Sequence, residues 1–223
     1  MTKFDLVIFD CDGTLADSEA MNCLACSMVL RELGYERYTH DVVYSELVGV
    51  TLKDIGAIVA KEYDIPMVDD FAERIVNKVG ELAPAHLKAV PNVDDAVKWA
   101  NENYKICVAS NGEPRNVRSS VHVLGLAPFF PDDLIFTQAM VERGKPEPDL
   151  FLLAAKTLGA DPARCLVVED TVVGVKAAKA AGMTAIGFIQ MHAEDPKYAD
   201  KLRGAGADMI MDDWSEFQSL ASK

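Results

Sequence analysis

The sequence predicts an α/β protein: a doubly wound, Rossmann-like parallel sheet carrying a small inserted helical unit. Three observations lead there. Short apolar runs at 4–9, 104–110, 134–137, 165–168, 184–189 and 209–211 alternate with helical patterns at 93–102, 115–124, 150–158, 173–181 and 214–221. Such alternation is that of parallel strands joined by crossover helices. Between the first two runs lies a long stretch with helical periodicity and no strand. Three runs end in polar turns, Asp10-Cys11-Asp12-Gly13, Ser110-Asn111-Gly112 and Glu169-Asp170, at the edge where open parallel sheets collect their ligands.

The first run is apolar throughout Leu6 to Phe9, as suits a strand buried on both faces, and its carboxyl end delivers Asp10 and Asp12. Carboxylates one residue apart in extended chain point to the same side, and Gly13 permits the sharp turn that follows. That arrangement suits a metal and a phosphate. An EF-hand loop is excluded, because Thr14 and Met21 stand where it needs an acidic or amide residue and a glutamate.

From Ser18 a helical pattern runs through Met21, Leu24, Met28 and Leu33 to Gly34. A second begins near Thr51, expected to cap its helix together with Asp54, with Ile55, Ile58 and Val59 as its apolar face. A third runs from Asp69 through Phe71, Ile75, Val79 and Leu82, and 83–91, with Pro84 and Pro91, reads as a connector. The expected domains are therefore a catalytic core of 1–15 and 88–223 and a helical cap of 16–87, able to rock and exclude water. In Gly144-Lys145-Pro146-Glu147-Pro148-Asp149 a lysine sits between rigid segments, with Asp149 placed to cap the next helix.

Half of the 223 residues are hydrophobic, enough for a sizeable core, while the net charge of −13 opposes binding to phosphate backbones and anionic lipid. Nucleic acid and membrane are excluded as partners on that ground. No secretory pattern opens the chain and no segment reaches membrane-spanning length, so a cytoplasmic protein, monomeric or weakly homo-oligomeric, is expected. Five cysteines scattered through strands and helices suit reduced, packed thiols, and His40, His86, His122 and His192, without ligand spacing, are assigned to surface or core packing.

Taken together, Phe9-Asp10-Cys11-Asp12-Gly13-Thr14-Leu15, Ser18-Glu19, Ser110, the Lys145-Pro146-Glu147-Pro148-Asp149 segment, Glu169-Asp170 and the run from Ala177 to Met183 resemble the haloacid dehalogenase superfamily. The likeness covers nearly the whole chain. It points to the branch with a small helical cap, which includes beta-phosphoglucomutase and 6-phosphogluconate phosphatase.

The resemblance implies a Mg²⁺-dependent phosphatase acting on a small phosphorylated metabolite, a sugar or sugar-acid phosphate such as 6-phosphogluconate. In that reading Asp10 is the nucleophile that becomes an aspartyl-phosphate, Asp12 is the acid and base, and Lys145 bridges Asp10 and the phosphate. Thr14, Ser110 and Asn111 would bind the phosphoryl group, and Lys53, Arg115 and Asn116 a distal anion. Asp10, Asp12 through its carbonyl, Glu169 and Asp170 would hold the metal. The alternative is a phosphosugar mutase, although Leu52 stands where the mutases carry an arginine. A phosphorylatable receiver-like switch is a third reading, disfavoured because Asp10 and Asp12 share one strand and because receivers lack a cap.

Overall fold

The structure, a computed structural model, describes residues 3–222. Two compact units emerge, one made of the chain up to Asp17 and from Lys88 onward, the other of Ser18–Leu87. In chain order the elements are β1 (Leu6–Phe9), β2 (Ala16–Asp17), α1 (Glu19–Glu32), α2 (His40–Leu47), α3 (Leu52–Tyr63), α4 (Phe71–His86) and β3 (Lys88–Ala89). There follow α5 (Val93–Asn103), β4 (Lys105–Ser110), α6 (Pro114–Val123), β5 (Ile135–Thr137), α7 (Asp149–Thr157) and β6 (Cys165–Glu169). The chain then continues through α8 (Val172–Ala180), β7 (Thr184–Phe188), α9 (Tyr198–Ala205), β8 (Met209–Met211) and α10 (Phe217–Ala221).

Six strands form one parallel sheet in the order β5-β4-β1-β6-β7-β8. This is the expected doubly wound α/β class. β1 lies centrally, with Phe9 level with Val108 of β4 and Val168 of β6. The three strands that end in polar turns are thus immediate neighbours, and their carboxyl ends are level.

Side chains alternate across the sheet. On one face Leu6, Ile8, Cys107, Ala109, Cys165 and Val167 pack with Leu150, Phe151 and Ala154 of α7 and Val175 and Ala178 of α8. On the other, Phe9 meets the rings of Phe130, Trp214 and Phe217 at 5.8, 5.8 and 5.9 Å. With apolar contact on both sides, β1 needs no polar face, and its end is held rigidly where the aspartates begin. All five cysteines are free and buried.

Two features of this unit depart from the sequence expectation. Helix α9 carries no apolar stripe to read, since Leu202 is its only buried residue. Asp149 is the first residue of α7 rather than its cap, and its carboxylate instead takes a bidentate grip from Arg143 at 3.0 and 3.1 Å.

The helical unit surrounds a core of Val29, Leu30, Tyr38, Val59, Phe71 and Ile75. Thr51 caps α3 as expected, accepting from the Asp54 N–H at 3.2 Å. Ile58, however, is exposed and Gly56 occupies the buried face beside Ile55 and Val59. Helix α2, with only Val43 and Leu47 buried, is too short to show a period in sequence. Helix α4 runs on through Pro84 to His86, where a connector was expected. Proline there forfeits the bond to Gly80 and costs little so close to the helix end. Beyond it, β3 pairs antiparallel with β2, Ala16 opposite Ala89 and Asp17 opposite Lys88, so the unit boundary falls after Asp17 instead of Leu15. Among the described residues no helix is long and apolar enough to cross a membrane.

Candidate active site

Asp10 extends the ladder one step beyond β1, its N–H donating to the Val168 carbonyl at 3.0 Å. The loop after it folds around the Cys11 carbonyl, which receives the Leu15 and Ala16 N–H groups at 2.9 Å each, while the Gly13 N–H donates to the Ala16 carbonyl at 2.8 Å. Gly13 closes this loop at φ +77°, and a Cβ on it would lie 2.1 Å from Asp170 Oδ2. Only glycine therefore allows the loop to lie against that carboxylate. The loop is anchored from below by Trp214, whose indole N–H donates to the Thr14 carbonyl at 3.1 Å.

Lys145 enters from the loop before α7. Its Nζ sits 2.5 Å from Asp10 Oδ1 and 2.7 Å from Glu169 Oε1, and 4.9 Å from the centre of the Phe151 ring. The three charged side chains are almost wholly enclosed, at 3, 8 and 2% exposure for Lys145, Asp10 and Glu169. Enclosure of this degree makes the contact an obligatory pairing rather than a surface ion pair. The second oxygen of Glu169 accepts from the Thr171 N–H and hydroxyl, both at 2.8 Å. A Cβ on Gly174 would lie 1.7 Å from Glu169 Oε1, so the third residue of α8 must be glycine.

Asp170 is held on both oxygens: Oδ1 accepts from the Thr14 hydroxyl at 3.2 Å, and Oδ2 lies 3.0 Å from His192 Nε2. His192 is stacked on Tyr198, 3.8 Å between ring centres. This corrects its assignment to packing. Isolated in sequence, it follows β7, whose carboxyl end is next to that of β6, a neighbourhood that no local signal in the sequence marks.

Asp10, Glu169 and Asp170 offer oxygens that all lie within 4.8 Å of one another, and all three residues are buried. Burial pushes the Asp10 carboxyl well above the usual range, with Lys145 opposing. Asp170 is pushed up to about 6, first by burial and against the bond from His192. Lys145 loses proton affinity through burial but gains more from Asp10 and Glu169, so it stays an ammonium. Three carboxylates against one ammonium leave a buried negative excess made wholly of hard oxygen donors, which fits a cation such as Mg²⁺.

Asp12 is half-buried, and its carboxylate is not part of that cluster. A Cβ on Gly112 would stand 3.4 Å from Asp12 Oδ2 and 3.2 Å from Ser110 Oγ, which places both groups around the same turn. Ser110 is buried and accepts from the Gly112 N–H at 3.0 Å, leaving its own proton to donate. Asn111 spends its amide on the Lys145 backbone, at 2.9 and 3.0 Å. Arg115 and Asn116 open α6, where their N–H groups bond Glu113 at 2.9 and 3.3 Å. Lys53 is an exposed residue in the first turn of α3, in the helical unit.

The arrangement sets a lysine-paired carboxylate beside a metal-suited acidic cluster, with a second carboxylate and a hydroxyl at the next strand end. Such a site suits transfer of a phosphoryl group to a carboxylate oxygen. Comparison with known proteins gives the family. The family described as haloacid dehalogenase-like hydrolase matches residues 7–188. The 6-phosphogluconate phosphatase of Escherichia coli is 31% identical over 189 residues, 84% of either chain. Two crystal structures align over 97% of both chains. One is a haloacid dehalogenase-like protein of unknown function from Agrobacterium tumefaciens, at TM-score 0.80 and 32% identity. The other is a putative beta-phosphoglucomutase from Thermotoga maritima, at TM-score 0.79 and 27% identity. The chain belongs to the haloacid dehalogenase-like hydrolases and is a phosphoric monoester hydrolase of that family.

Proposed function

We propose that this hydrolase removes phosphate from a small sugar or sugar-acid phosphate, with Asp10 as nucleophile and Mg²⁺ as cofactor. The observation that carries the reading is Lys145 seated between Asp10 and Glu169 beside Asp170. Asp10, Glu169 and Asp170, with the Asp12 carbonyl, would hold Mg²⁺, which supplies positive charge against the transferring phosphoryl oxygens.

Lys145 holds Asp10 Oδ1, so the carboxylate presents its other oxygen to phosphorus and the ammonium faces the same phosphoryl group. The P–O bond to the alkoxide breaks as the Asp10 O–P bond forms. Asp12 gives the leaving oxygen its proton, then takes one from the water that attacks the aspartyl-phosphate and restores Asp10. Ser110 donates to a phosphoryl oxygen, and Arg115 and Asn116 are assigned to a distal anion of the substrate. A general acid contributes only about 10²–10⁴ in rate, so fixed charge and positioning must supply most of the acceleration.

The test is phosphate release from p-nitrophenyl phosphate and a panel of sugar and sugar-acid phosphates, with Mg²⁺ and with EDTA. Many turnovers are expected with Mg²⁺ and none after chelation, and Asp10→Asn should lose turnover without unfolding. Near-normal hydrolysis by that variant, or hydrolysis that persists in EDTA, refutes the reading. Interconversion of glucose 1-phosphate and glucose 6-phosphate with little free phosphate would replace it by the mutase, the activity named for the Thermotoga structure.

A further inference from the structure

Lys145 carries the site's one buried ammonium, yet it stands on a loop outside regular structure, between a short 3₁₀ turn (Gln138–Met140) and α7. A long flexible side chain is poorly confined by its own charge alone. Its backbone must be fixed by something else. Arg143, four residues before Glu147, pairs with Glu147 and Asp149 across the loop, but Arg143 is 59% exposed and both pairs end on residues beyond Lys145 and leave its own backbone groups untouched.

The firm attachment comes from the neighbouring strand end. Asn111 Oδ1 accepts from the Lys145 N–H at 2.9 Å and Asn111 Nδ2 donates to the Lys145 carbonyl at 3.0 Å. One amide thus satisfies both backbone groups of a single residue, much as a partner strand would. The fit is tight: a Cβ on Gly144 would come 2.7 Å from Asn111 Oδ1. Asn111 follows Ser110 directly, so the same amide ties the ammonium's loop to the strand that delivers the hydroxyl.

We propose that Asn111 is a positioning residue, a latch that sets Lys145 against Asp10, in place of the substrate contact expected from its neighbour Ser110. The proposal rests on the catalytic role assigned to Lys145 above. A displacement on the order of 1 Å at a reacting group costs about 10²-fold in rate. Loss of the latch should therefore appear in kcat and leave substrate binding nearly intact.

The experiment is steady-state hydrolysis of p-nitrophenyl phosphate by Asn111→Ala, Asn111→Asp, Gly144→Ala and the Asn111→Ala/Gly144→Ala pair, with melting temperatures alongside. Asn111→Ala should lower kcat about 10–10²-fold with KM within about threefold. Asn111→Asp, which keeps the shape but cannot donate to the carbonyl, should fall similarly. In Gly144→Ala the new methyl dislodges the amide and reproduces the loss. In the pair the amide is gone, the exposed Gln138 side chain can turn aside, and the second substitution adds nothing. Multiplying losses, a raised KM at unchanged kcat, or wild-type kcat in Asn111→Ala would each overturn the latch. Lys145→Met serves as the control: if it retains wild-type turnover, the reading beneath has failed, whereas an inactive Lys145→Met beside a fully active Asn111→Ala removes the latch alone.

Discussion

Replacing Lys145 by methionine keeps the length of the stem and removes only the charge. Asp10 and Glu169 then face each other, and Asp170, inside an enclosure where the side chains are 8% exposed or less. Removing one partner of a buried ion pair costs about 3–5 kcal/mol, because the remaining charge has neither water nor counterion. At roughly 2–4 °C per kcal/mol for a chain of this size, the melting temperature should fall by roughly 6–20 °C in chelator at pH 8. A solvated surface lysine would give no more than about 0.5 kcal/mol. The pH dependence has a definite sign. Carboxyls whose folded pKa is raised contribute stability below their unfolded pKa and lose it as pH rises through the folded value. Burial has already raised Asp10, and without Lys145 it rises further, so the deficit of the variant should be small at pH 5 and grow toward pH 8. Thermal unfolding at the two pH values decides the matter. A drop under about 2 °C, or one independent of pH, would refute the claim that Lys145 neutralises the buried cluster.

Asp170→Asn should raise the melting temperature of the chelated protein at pH 7.5, raise it by roughly half as much at pH 5, and converge with wild type only as pH falls below the unfolded value of 3.8. The carboxyl pushed up to about 6 from 3.8 sets a ceiling of about 3 kcal/mol, and a lowered melting temperature would contradict it. Gly13→Ala should cost about 1–3 kcal/mol and reduce turnover about 10²-fold, since φ of +77° and a contact of 2.1 Å to Asp170 both oppose a methyl group; unfolding and kinetics measured on one preparation test both. His192→Phe keeps the stack on Tyr198 and loses the contact to Asp170. The Mg²⁺ concentration at half-maximal thermal stabilisation should then rise about 10-fold or more, and an unchanged midpoint would show that His192 does not orient Asp170.

The fold class and the elements around the site were legible in the sequence because each signal is local. An apolar run ended by Asp10 and Asp12 reads as a buried strand wherever it lies, and the crossover patterns put β1, β4 and β6 in one parallel sheet. Helices α2 and α9 escaped because each buries at most two residues, too few to set a period. Pro84 misled because its cost depends on where in the helix it falls, which is settled by the chain beyond it. What only the tertiary structure decided is pairing across strand ends. That Lys145 lies between Asp10 and Glu169, that Asn111 grips the Lys145 backbone, and that His192 meets Asp170 all depend on the order of strands in the sheet. Separations of 22 to 135 residues along the chain carry no local periodicity, and burial alone turns these residues into one electrostatic unit.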